Sequence, residues 1–481
     1  MMKIYETVIG LEVHVELATK SKIFCRCSTA FGAKPNTQIC PVCAGLPGAL
    51  PVLNRQVVED ALAVGLAMHC EISEVSRFDR KNYFYPDNPQ NYQISQLYAP
   101  LCRNGFVEIE TTAGRKRIGI HEIHMEDDAG KHLHDPASGL TLVDYNRSGV
   151  PLIEIVTEPD FANADEVVAF LEQLRLMVRY LGVSDGKMQE GSMRADVNLS
   201  VREAGCEVLG TRTEMKNMNS FAAIRRAVTA EAARQIAILE QGDVVVQESR
   251  RWDEDTGTSY SMRSKEDAQD YRYFPEPDLP PIVVSEEWKA RVRAALPEFR
   301  EEKRARYLKE YEIPAYDIEI LTGSKKLADL FEEASALCGQ PKKVSNWLMG
   351  ETMHLLSERG LDADDLTFSA NHLADLIGLI DRGEIGQTVA KQIFLRIFKE
   401  DVDPVAVVRA EGLATVRDAD KLNEVVETIL HSNPKSVQDY LKGKTKAIGY
   451  LVGQAMREMK GQADPNVIRE MLKERLEEER E

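Results

Sequence analysis

Two carboxylates and an imidazole share one face of a strictly alternating stretch, residues 9–17 (IGLEVHVEL). Glu12, His14 and Glu16 point one way, and the apolar residues between them point the other, as in a half-buried β-strand. Side chains two positions apart on such a strand are about 6–7 Å apart. The row predicts either a solvated strand face or the floor of a metal or acid–base site, and the strand alone leaves both interpretations open.

Acidic residues recur on three further β-segments that could join this strand in a sheet. Asp127 lies in IGIHEIHMEDD, Glu154 in PLIEIVT and Asp196 in RADVNLSV. Clustered carboxylates repel one another and destabilise a sheet unless cations neutralise them. Oxygen ligands combined with one imidazole suit Mg²⁺ or Mn²⁺. Together with Glu12 and His14, these acids predict a divalent-cation site, provided that the strands are neighbours.

Four cysteines fall on one short loop that is rich in Gly, Pro and Asn. Cys25 and Cys27 form a CxC pair, and Cys40 and Cys43 form a CxxC pair within CPVC. Two close pairs on one loop are typical of a tetrahedral Cys₄ zinc site. A redox CxxC is the alternative, but the second pair favours zinc. The zinc is expected to be structural, because four thiolates leave no open coordination position.

Residues 78–96 (FDRKNYFYPDNPQNYQISQ) combine aromatic, Asn and Pro residues without a regular period. Lys81, Tyr83 and Tyr85 in such a stretch indicate either a binding wall or a well-packed Ω-loop. The sequence has no GxGxxG motif and no GxSxG elbow. GKT at 443–445 lacks the upstream glycine of a phosphate-binding loop, because Gln438 occupies that position. Any ATP is therefore expected on the acidic sheet, held through metal.

The chain has 481 residues, a formal net charge of −18 and ordinary globular composition, which predicts several domains. The negative charge argues against a general nucleic-acid coat, although the sum over the whole chain leaves room for a local basic patch. No apolar run reaches the roughly 18 residues of a membrane span, and a strand pattern begins within a few residues of the start. We expect a cytosolic protein that does not contact membranes.

Strand patterns dominate up to the proline cluster that ends at Pro281, and helical periods follow from about Glu286. A second break comes at Asp403-Pro404. The sequence therefore predicts three domains: a sheet-containing domain at 1–290, a helical domain at 291–403 and a small all-α tail domain at 404–481. These segments together predict an α+β fold.

The tail carries a lysine-rich, glycine-punctuated stretch, LKGKTKAIGYLVGQAMREMKGQADP. A pair of helices punctuated by glycine is the simpler interpretation. The alternative is a local contact with a nucleic-acid backbone through four lysines. These lysines are Lys442, Lys444, Lys446 and Lys460.

Several long and unusual strings together resemble one known family. They include VIGLEVHVEL, FDRKNYFYPDNPQNYQISQ, HMEDDAGK, NRSGVPLIEIVTEPD, GSMRADVNLSV, DYRYFPEPD, SNWLMG and KGQADP. The chain is similar throughout its length to the GatB family, which supplies one component of the bacterial aspartyl/glutamyl-tRNA(Asn/Gln) amidotransferase GatCAB.

The resemblance implies a fold and an activity. The N-terminal domain would be a cradle similar to glutamine synthetase that holds the kinase/transamidase site, and the helical and tail domains would hold the tRNA. Such complexes convert Glu-tRNA(Gln) or Asp-tRNA(Asn) to the amide. ATP activates the side-chain carboxylate as an acyl phosphate, and ammonia from a glutaminase in GatA arrives through a tunnel. GatC completes the heterotrimer. The sequence has no recognisable glutaminase motif of its own, which agrees with an external ammonia source.

The resemblance also implies roles for individual residues. Glu12, His14, Asp127 and Asp196 fall on the family's catalytic Mg²⁺ site, with Glu154 as a weaker candidate. The family often reads HMEEDAG where this chain reads HMEDDAG, so either Asp127 binds through water or Glu126 takes its place. Lys81, Tyr83 and Tyr85 would line the substrate pocket or the tunnel exit. The four lysines of the tail would contact tRNA, and the Cys₄ zinc site would be one that only some members keep.

Overall fold

The structure, a computed structural model, describes residues 3–264, 270–415, 418–459 and 461–478. The chain forms two compact units, Met1–Phe299 and Arg300–Glu481. The first contains every strand in the described ranges together with four helices, and the second is entirely helical within those ranges. This confirms the predicted α+β class. None of the described helices is both long enough and apolar enough to cross a membrane.

The strands of the first unit, within the described ranges, are β1 (Tyr5–Glu16), β2 (Glu71–Ile72), β3 (Val75–Ser76), β4 (Asp79–Asn82), β5 (Tyr92–Ser95), β6 (Cys102–Thr111), β7 (Gly114–Asp127), β8 (Lys131–Asp135), β9 (Leu140–Asp144), β10 (Pro151–Thr157), β11 (Met193–Glu203), β12 (Thr213–Lys216), β13 (Glu248–Asp253), β14 (Thr258–Ser264), β15 (Phe274–Pro275) and β16 (Ile282–Val283). Its helices are α1 (Arg55–Ala67), α2 (Ala164–Leu181), α3 (Phe221–Glu240) and α4 (Glu286–Ala294).

One nine-stranded sheet organises this unit, in the order β14-β13-β12-β11-β1-β10-β7-β6-β2. The pairs are antiparallel except for β12 and β13, which are parallel. The strand predicted from residues 9–17 is β1, and it lies in the middle with β10 on one side and β11 on the other. Two of the three acidic segments, those of Glu154 and Asp196, are therefore neighbours of β1, whereas the segment of Asp127 is β7, which pairs with β10.

The two faces of the sheet differ as the alternation in β1 predicts. The apolar residues Ile9, Leu11, Val13 and Val15 are each 1% exposed or less and belong to the main core. Helices α1, α2 and α3 contact this apolar side, against β7, β6 and β11 respectively. Full burial of each such side chain contributes about 1.5–3 kcal/mol. This burial fixes the register, since a slip of one residue would turn the polar side chains inward.

Side-chain caps fix where two of these helices begin. Asn54 caps α1, because its side chain accepts a hydrogen bond from Gln56 N at 2.9 Å. Asn163 caps α2 by accepting from Glu166 N at 3.0 Å. The Glu166 carboxylate in turn accepts a hydrogen bond from Ala162 N at 2.8 Å, one residue before the N-cap.

The aromatic stretch 78–96 contains a short β-hairpin, where the sequence indicated irregular structure. Strand β4 pairs antiparallel with β5 and also with β15, so the order of this small sheet is β15-β4-β5. Strand β5 also lies against β7. Period-2 alternation was obscured here because the strands are only four residues long.

The second unit consists, in the described residues, of α5 (Arg300–Glu310), α6 (Ala315–Leu321), α7 (Lys325–Cys338), α8 (Pro341–Trp347), a π-helical turn (Leu348–Thr352), α9 (Met353–Arg359), a 3₁₀ turn (Ala363–Asp365), α10 (Ala370–Asp381), α11 (Gln387–Glu400), α12 (Pro404–Glu411), α13 (Ala419–Ser432), α14 (Pro434–Leu441), α15 (Ala447–Glu458) and α16 (Pro465–Glu478). Its buried side chains form two apolar clusters, one drawn from 307–408 and the other from 422–476.

Candidate functional site

The polar face of the sheet brings four of the predicted residues together, because their strands are neighbours in register. His14 on β1 lies opposite Glu154 on β10, and Glu154 lies opposite His124 on β7. On the other side of β1, Glu12 lies opposite Asp196 on β11. Side chains opposite one another on paired strands have Cβ atoms about 4.5–5.5 Å apart. The pairing therefore gathers acids that are up to 184 positions apart in the chain.

His14, Glu126 and Glu154 form the first ligand cluster. The distance from His14 Nε2 to Glu154 Oε2 is 3.3 Å, and the distance to Glu126 Oε1 is 3.6 Å. One donor atom from each of the three lies within 4.8 Å of the others. Ser95 Oγ on β5 donates to Glu126 Oε2 at 3.2 Å, which holds that buried carboxylate towards the cluster.

Glu12, Asp196 and Glu214 form the second ligand cluster, again with donor atoms within 4.8 Å of one another. Lys216 Nζ donates to Asp196 Oδ2 at 2.6 Å and lies 2.8 Å from Glu214 Oε1. Asn198 Nδ2 donates to Glu12 Oε1 at 2.9 Å. One ammonium thus faces three carboxylates, which leaves an excess of negative charge.

Burial and the charges of neighbouring side chains shift the pKa values on this face, often in opposite directions. Burial, with the nearby Glu154 carboxylate, raises the pKa of Glu12. Burial lowers the pKa of His14, but Glu154 and Glu126 outweigh it and the net pKa is raised. Burial raises the pKa of Glu154, yet His124 and His14 hold it well below its ordinary value. For His124, burial is again outweighed, here by Glu122 and Glu154, and its pKa rises to about 10.

Asp127 does not lie in either cluster, which corrects the prediction made for it. It follows Glu126 in β7, so its side chain leaves the opposite face of the strand. Its Oδ1 accepts a hydrogen bond from Ile94 N at 2.8 Å. Burial raises the pKa of its carboxyl to about 8. Glu126, the alternative left open by the sequence, lies at the cluster in its place.

The donor sets of both clusters fit a divalent cation. Hard carboxylate oxygens with at most one imidazole are the ligands that Mg²⁺ and Mn²⁺ accept. Glu126 is only 3% exposed and Glu154 lies beside it, and burial of two close carboxylates is costly unless positive charge compensates them. His14, Glu126 and Glu154 could hold one ion, and Glu12, Asp196 and Glu214 could hold a second.

Lys81 lies among aromatic rings near the first cluster. Its Nζ is 5.1 Å from the centroid of the Tyr271 ring, and the rings of Tyr83 and Tyr271 meet edge to face at 6.0 Å. Burial lowers the pKa of Lys81, but Glu126 and other nearby groups outweigh it and the pKa is raised. Tyr85 is instead 56% exposed and stacks on His132 of β8 at 5.3 Å, outside the Lys81 group.

The four cysteines of the loop converge as the Cys₄ prediction requires. Cys43 Sγ lies 3.9 Å from both Cys27 Sγ and Cys40 Sγ, and the four sulfurs, that of Cys25 included, all lie within 4.8 Å of one another. A tetrahedral zinc with Zn–S bonds of about 2.3 Å separates its sulfurs by about 3.8 Å. The arrangement therefore fits a zinc ion.

A fully buried lysine accompanies the cysteines, and the sequence analysis did not single it out. Lys22 Nζ lies 3.5 Å from Cys43 Sγ and donates to Tyr145 O at 3.2 Å. A hydrogen bond from Cys25 is the main cause that lowers the pKa of Cys43 to about 4, and the charge of Lys22 adds to it. Burial raises the pKa of Cys27 to about 11. A thiolate is the form that binds metal.

The predicted tail lysines lie at the turn between α14 and α15. Lys442, Lys444 and Lys446 line this turn, and Lys444 Nζ lies 3.0 Å from Asp439 Oδ1. Lys460 lies outside the described residues. The structure thus brings three of these four lysines together on one turn.

Glu214 and Glu126 are cluster members that the sequence analysis did not assign to the site outright. Each could have been found from the sequence, because it lies two positions from another polar residue of its strand and so shares a face with it. Glu214 shares its face with Lys216, and Glu126 shares its face with His124. Parity within a strand can be read from the sequence once the strand is assigned. The supporting contacts of Asn198 and Lys216 depend on register, which the sequence does not show.

Comparison with known proteins agrees with this architecture. The family model described as the GatB/GatE catalytic domain matches residues 7–290, and the model described as the GatB domain matches residues 329–476. The chain belongs to the GatB family. A relative from Agathobacter rectalis, named as the B subunit of aspartyl/glutamyl-tRNA(Asn/Gln) amidotransferase, is 62% identical over 475 residues, covering 99% of this chain and 100% of its own length.

Two further relatives with the same name are similar over nearly their whole length. The relative from Lachnoclostridium phytofermentans is 61% identical and that from Caldicellulosiruptor saccharolyticus is 54% identical; they cover 99% and 98% of this chain and 99% of their own lengths. As a GatB chain, the protein is an amidotransferase subunit, of the ligase class, that acts in a complex. The predicted family and enzyme class are thereby confirmed.

Proposed function

We propose that this chain carries the site at which ATP and Mg²⁺ activate the Glu or Asp side chain of misacylated Glu-tRNA(Gln) or Asp-tRNA(Asn). The activated species is an acyl phosphate, which ammonia then converts to the amide to give Gln-tRNA(Gln) or Asn-tRNA(Asn). The observation that carries this proposal is the pair of adjacent ligand clusters, which share strand β1 through Glu12 and His14.

The proposed reaction has two steps, and the first moves a charged phosphoryl group that a cation site would serve. A carboxylate oxygen attacks the γ-phosphorus of ATP, and the bond to the β–γ bridging oxygen breaks with its electron pair leaving on ADP. Ammonia then attacks the acyl carbon, the C–O bond to phosphate breaks, and the nitrogen loses a proton. When bound between these ligand residues, Mg²⁺ would supply positive charge that neutralises the phosphates.

The residues of the chain itself orient and support this chemistry. Ser95 positions Glu126, Asn198 positions Glu12, and Lys216 positions Asp196 and Glu214 through the contacts described above. Such partners hold ligands in one orientation and typically change metal affinity or activity about 10–100-fold. Lys81 and Tyr83 would line the end of the ammonia path, beside Glu126.

The proposal extends to partners and a structural metal. Ammonia would come from the glutaminase of GatA, with GatC completing a cytosolic heterotrimer, and the tail lysines would contact the tRNA backbone. The Cys₄ site would hold structural zinc, because its four sulfurs leave no open position. The three domains 1–290, 291–403 and 404–481 remain the proposed division of these roles.

The Asp196→Asn variant tests the proposed activity in the reconstituted complex. We expect ATP-dependent amidation of mischarged tRNA to fall below about 1% of wild type, because a ligand contributes more than its outer partners. Binding of tRNA should be unchanged. Asp165→Asn is the matched control, since Asp165 is 77% exposed and pairs only with the surface Arg225 among the described contacts. Unchanged amidation in Asp196→Asn would favour the alternative, a non-catalytic tRNA-binding scaffold whose acidic sheet is inert.

A further inference from the structure

Arg194 lies on the polar face beside the first ligand cluster, and the proposed site gives it no role. Strand β11 places it directly opposite His14 on β1. Its side chain is 37% exposed, so it is accessible from the face of the sheet. Its Nε, by contrast, is buried without a hydrogen-bond partner in the described part of the chain. Because some of its N–H donors are unpaired and its side chain is partly exposed, such a guanidinium can still donate hydrogen bonds to a ligand.

A buried carboxylate anchors one corner of this guanidinium. Arg194 Nη2 donates to Asp128 Oδ2 at 2.6 Å, and Asp128 is 5% exposed. Arg147 also approaches Asp128 Oδ2, at 3.5 Å, but donates to the backbone oxygens of Ala129 and Gly130 at 2.9 Å each. Arg147 therefore donates mainly to the backbone, whereas Arg194 has further N–H groups that do not bond to Asp128.

The polar face of the sheet is rich in carboxylates, and this explains why a cation would be needed there. Six ligand residues of the two clusters include five carboxylates, and a phosphoryl group brought against them adds further negative charge. Phosphoryl transfer is accelerated mainly by positive groups placed against the equatorial oxygens of the moving group. Arginine suits this task because it stays charged and its planar fork matches phosphate oxygens.

We propose that Arg194 binds the phosphoryl group as it passes from ATP to the substrate carboxylate, with Asp128 as the residue that positions it. The inference rests on the proposed function and deepens it. In the step, the bond from the γ-phosphorus to ADP breaks as the bond to the carboxylate oxygen forms. Arg194 keeps its proton throughout and contributes charge and hydrogen bonds only.

The test uses the reconstituted complex with mischarged tRNA and measures ADP formation. Arg194→Ala should lower kcat by about 10³-fold, the smaller end of the effect of an arginine that stabilises this transition state, and change the KM for ATP by less than about threefold. Inhibition by ADP with aluminium fluoride, a mimic of the moving phosphoryl group, should weaken in parallel with kcat. Added guanidinium ion should restore part of the rate, and Arg194→Lys should recover little.

Arg202→Ala is the matched control. Arg202 lies on the same strand but pairs with the half-exposed Glu6 at 3.2 Å, away from the clusters. A merely structural Arg194 would instead give a lower Tm or weaker Mn²⁺ binding, with no rescue by guanidinium, and that outcome would overturn the inference. So would an unchanged kcat in Arg194→Ala. A wild-type complex that forms no ADP with mischarged tRNA would overturn the proposed function as well.

Discussion

Glu126 and Asp127 are adjacent in β7 but serve opposite faces of the sheet. Glu126 lies 3.6 Å from His14 Nε2 on the polar face, whereas Asp127 accepts a hydrogen bond from Ile94 N at 2.8 Å. Both residues are nearly buried, with 3% and 6% exposure. Neighbouring acids of similar burial therefore have different partners, which follows from the two-residue period of a strand.

Replacement of these two acids should consequently have unequal effects. Glu126→Gln removes a proposed metal ligand and should reduce amidation by the complex at least about 100-fold. Asp127→Asn keeps an oxygen that can accept from Ile94 N and should retain amidation within about threefold of wild type. The measurement is the initial rate of amide formation on mischarged tRNA. Equal losses in the two variants would indicate that Asp127 is also a ligand.

The cysteine cluster should hold one zinc ion per chain. Cys43→Ser should release it, because Cys43 lies within 3.9 Å of two other sulfurs, and should lower Tm by about 4 °C or more. The measurements are elemental analysis of freshly purified protein and thermal unfolding. Cys206→Ser is the control, since Cys206 is exposed and far from the cluster in sequence. Absence of zinc from the wild-type protein would refute the assignment.

Lowering the pH should selectively weaken the interaction of Glu231 in α3 with its neighbours. Its side chain is fully buried and accepts from Arg234, Thr213 and Gln235. Burial alone would raise its pKa, but these donors outweigh burial and hold the folded-state pKa below 4.5. The stabilisation is therefore complete above pH 4.5 and is lost as pH falls through the folded-state pKa.

Glu231→Gln should accordingly cost about 2 kcal/mol of unfolding free energy at pH 7 and progressively less below pH 4.5. Denaturant unfolding across this pH range measures it. Glu240→Gln at the end of the same helix is the control and should have little effect at any pH. A cost that stays constant down to pH 3 would contradict the assignment of the charge to this network.

The tail lysines should contribute to tRNA binding through charge alone. The triple replacement of Lys442, Lys444 and Lys446 by Gln should weaken binding and reduce the slope of log K against log salt by about 1 per lysine in contact. Binding is measured at several salt concentrations with the complete complex. The matched control replaces three exposed lysines elsewhere in the same unit: Lys309, Lys342 and Lys399. Equal changes in both triple variants would locate the contact elsewhere.

The sequence predicted much of the site because strand parity and cysteine spacing are local properties. The alternation in β1 indicated both the buried face and the polar row of Glu12 and His14. The same alternation would have placed Glu126 and Asp127 on opposite faces of the strand, but three consecutive acids at the strand end obscured it. Within a run of three acids, no alternation of polar and apolar residues marks the two faces of the strand.

Features that depend on pairing between strands could not be read in the same way. The position of Arg194 opposite His14 requires the register of β1 with β11, which is set by the core packing of the whole sheet. The same holds for Lys22, whose burial beside Cys43 depends on a contact with Tyr145, more than a hundred residues away. Non-local contacts of this kind leave no periodic signal.

The number of Mn²⁺ ions bound by the complex tests the central claim most directly. Titration followed by electron paramagnetic resonance should give two sites in the wild type. Glu126→Gln and Asp196→Asn should each remove one site, and a variant carrying both replacements should have none. The Cys₄ site is kept loaded with zinc throughout. Unchanged Mn²⁺ stoichiometry in all three variants would contradict the assignment of the two clusters as cation sites.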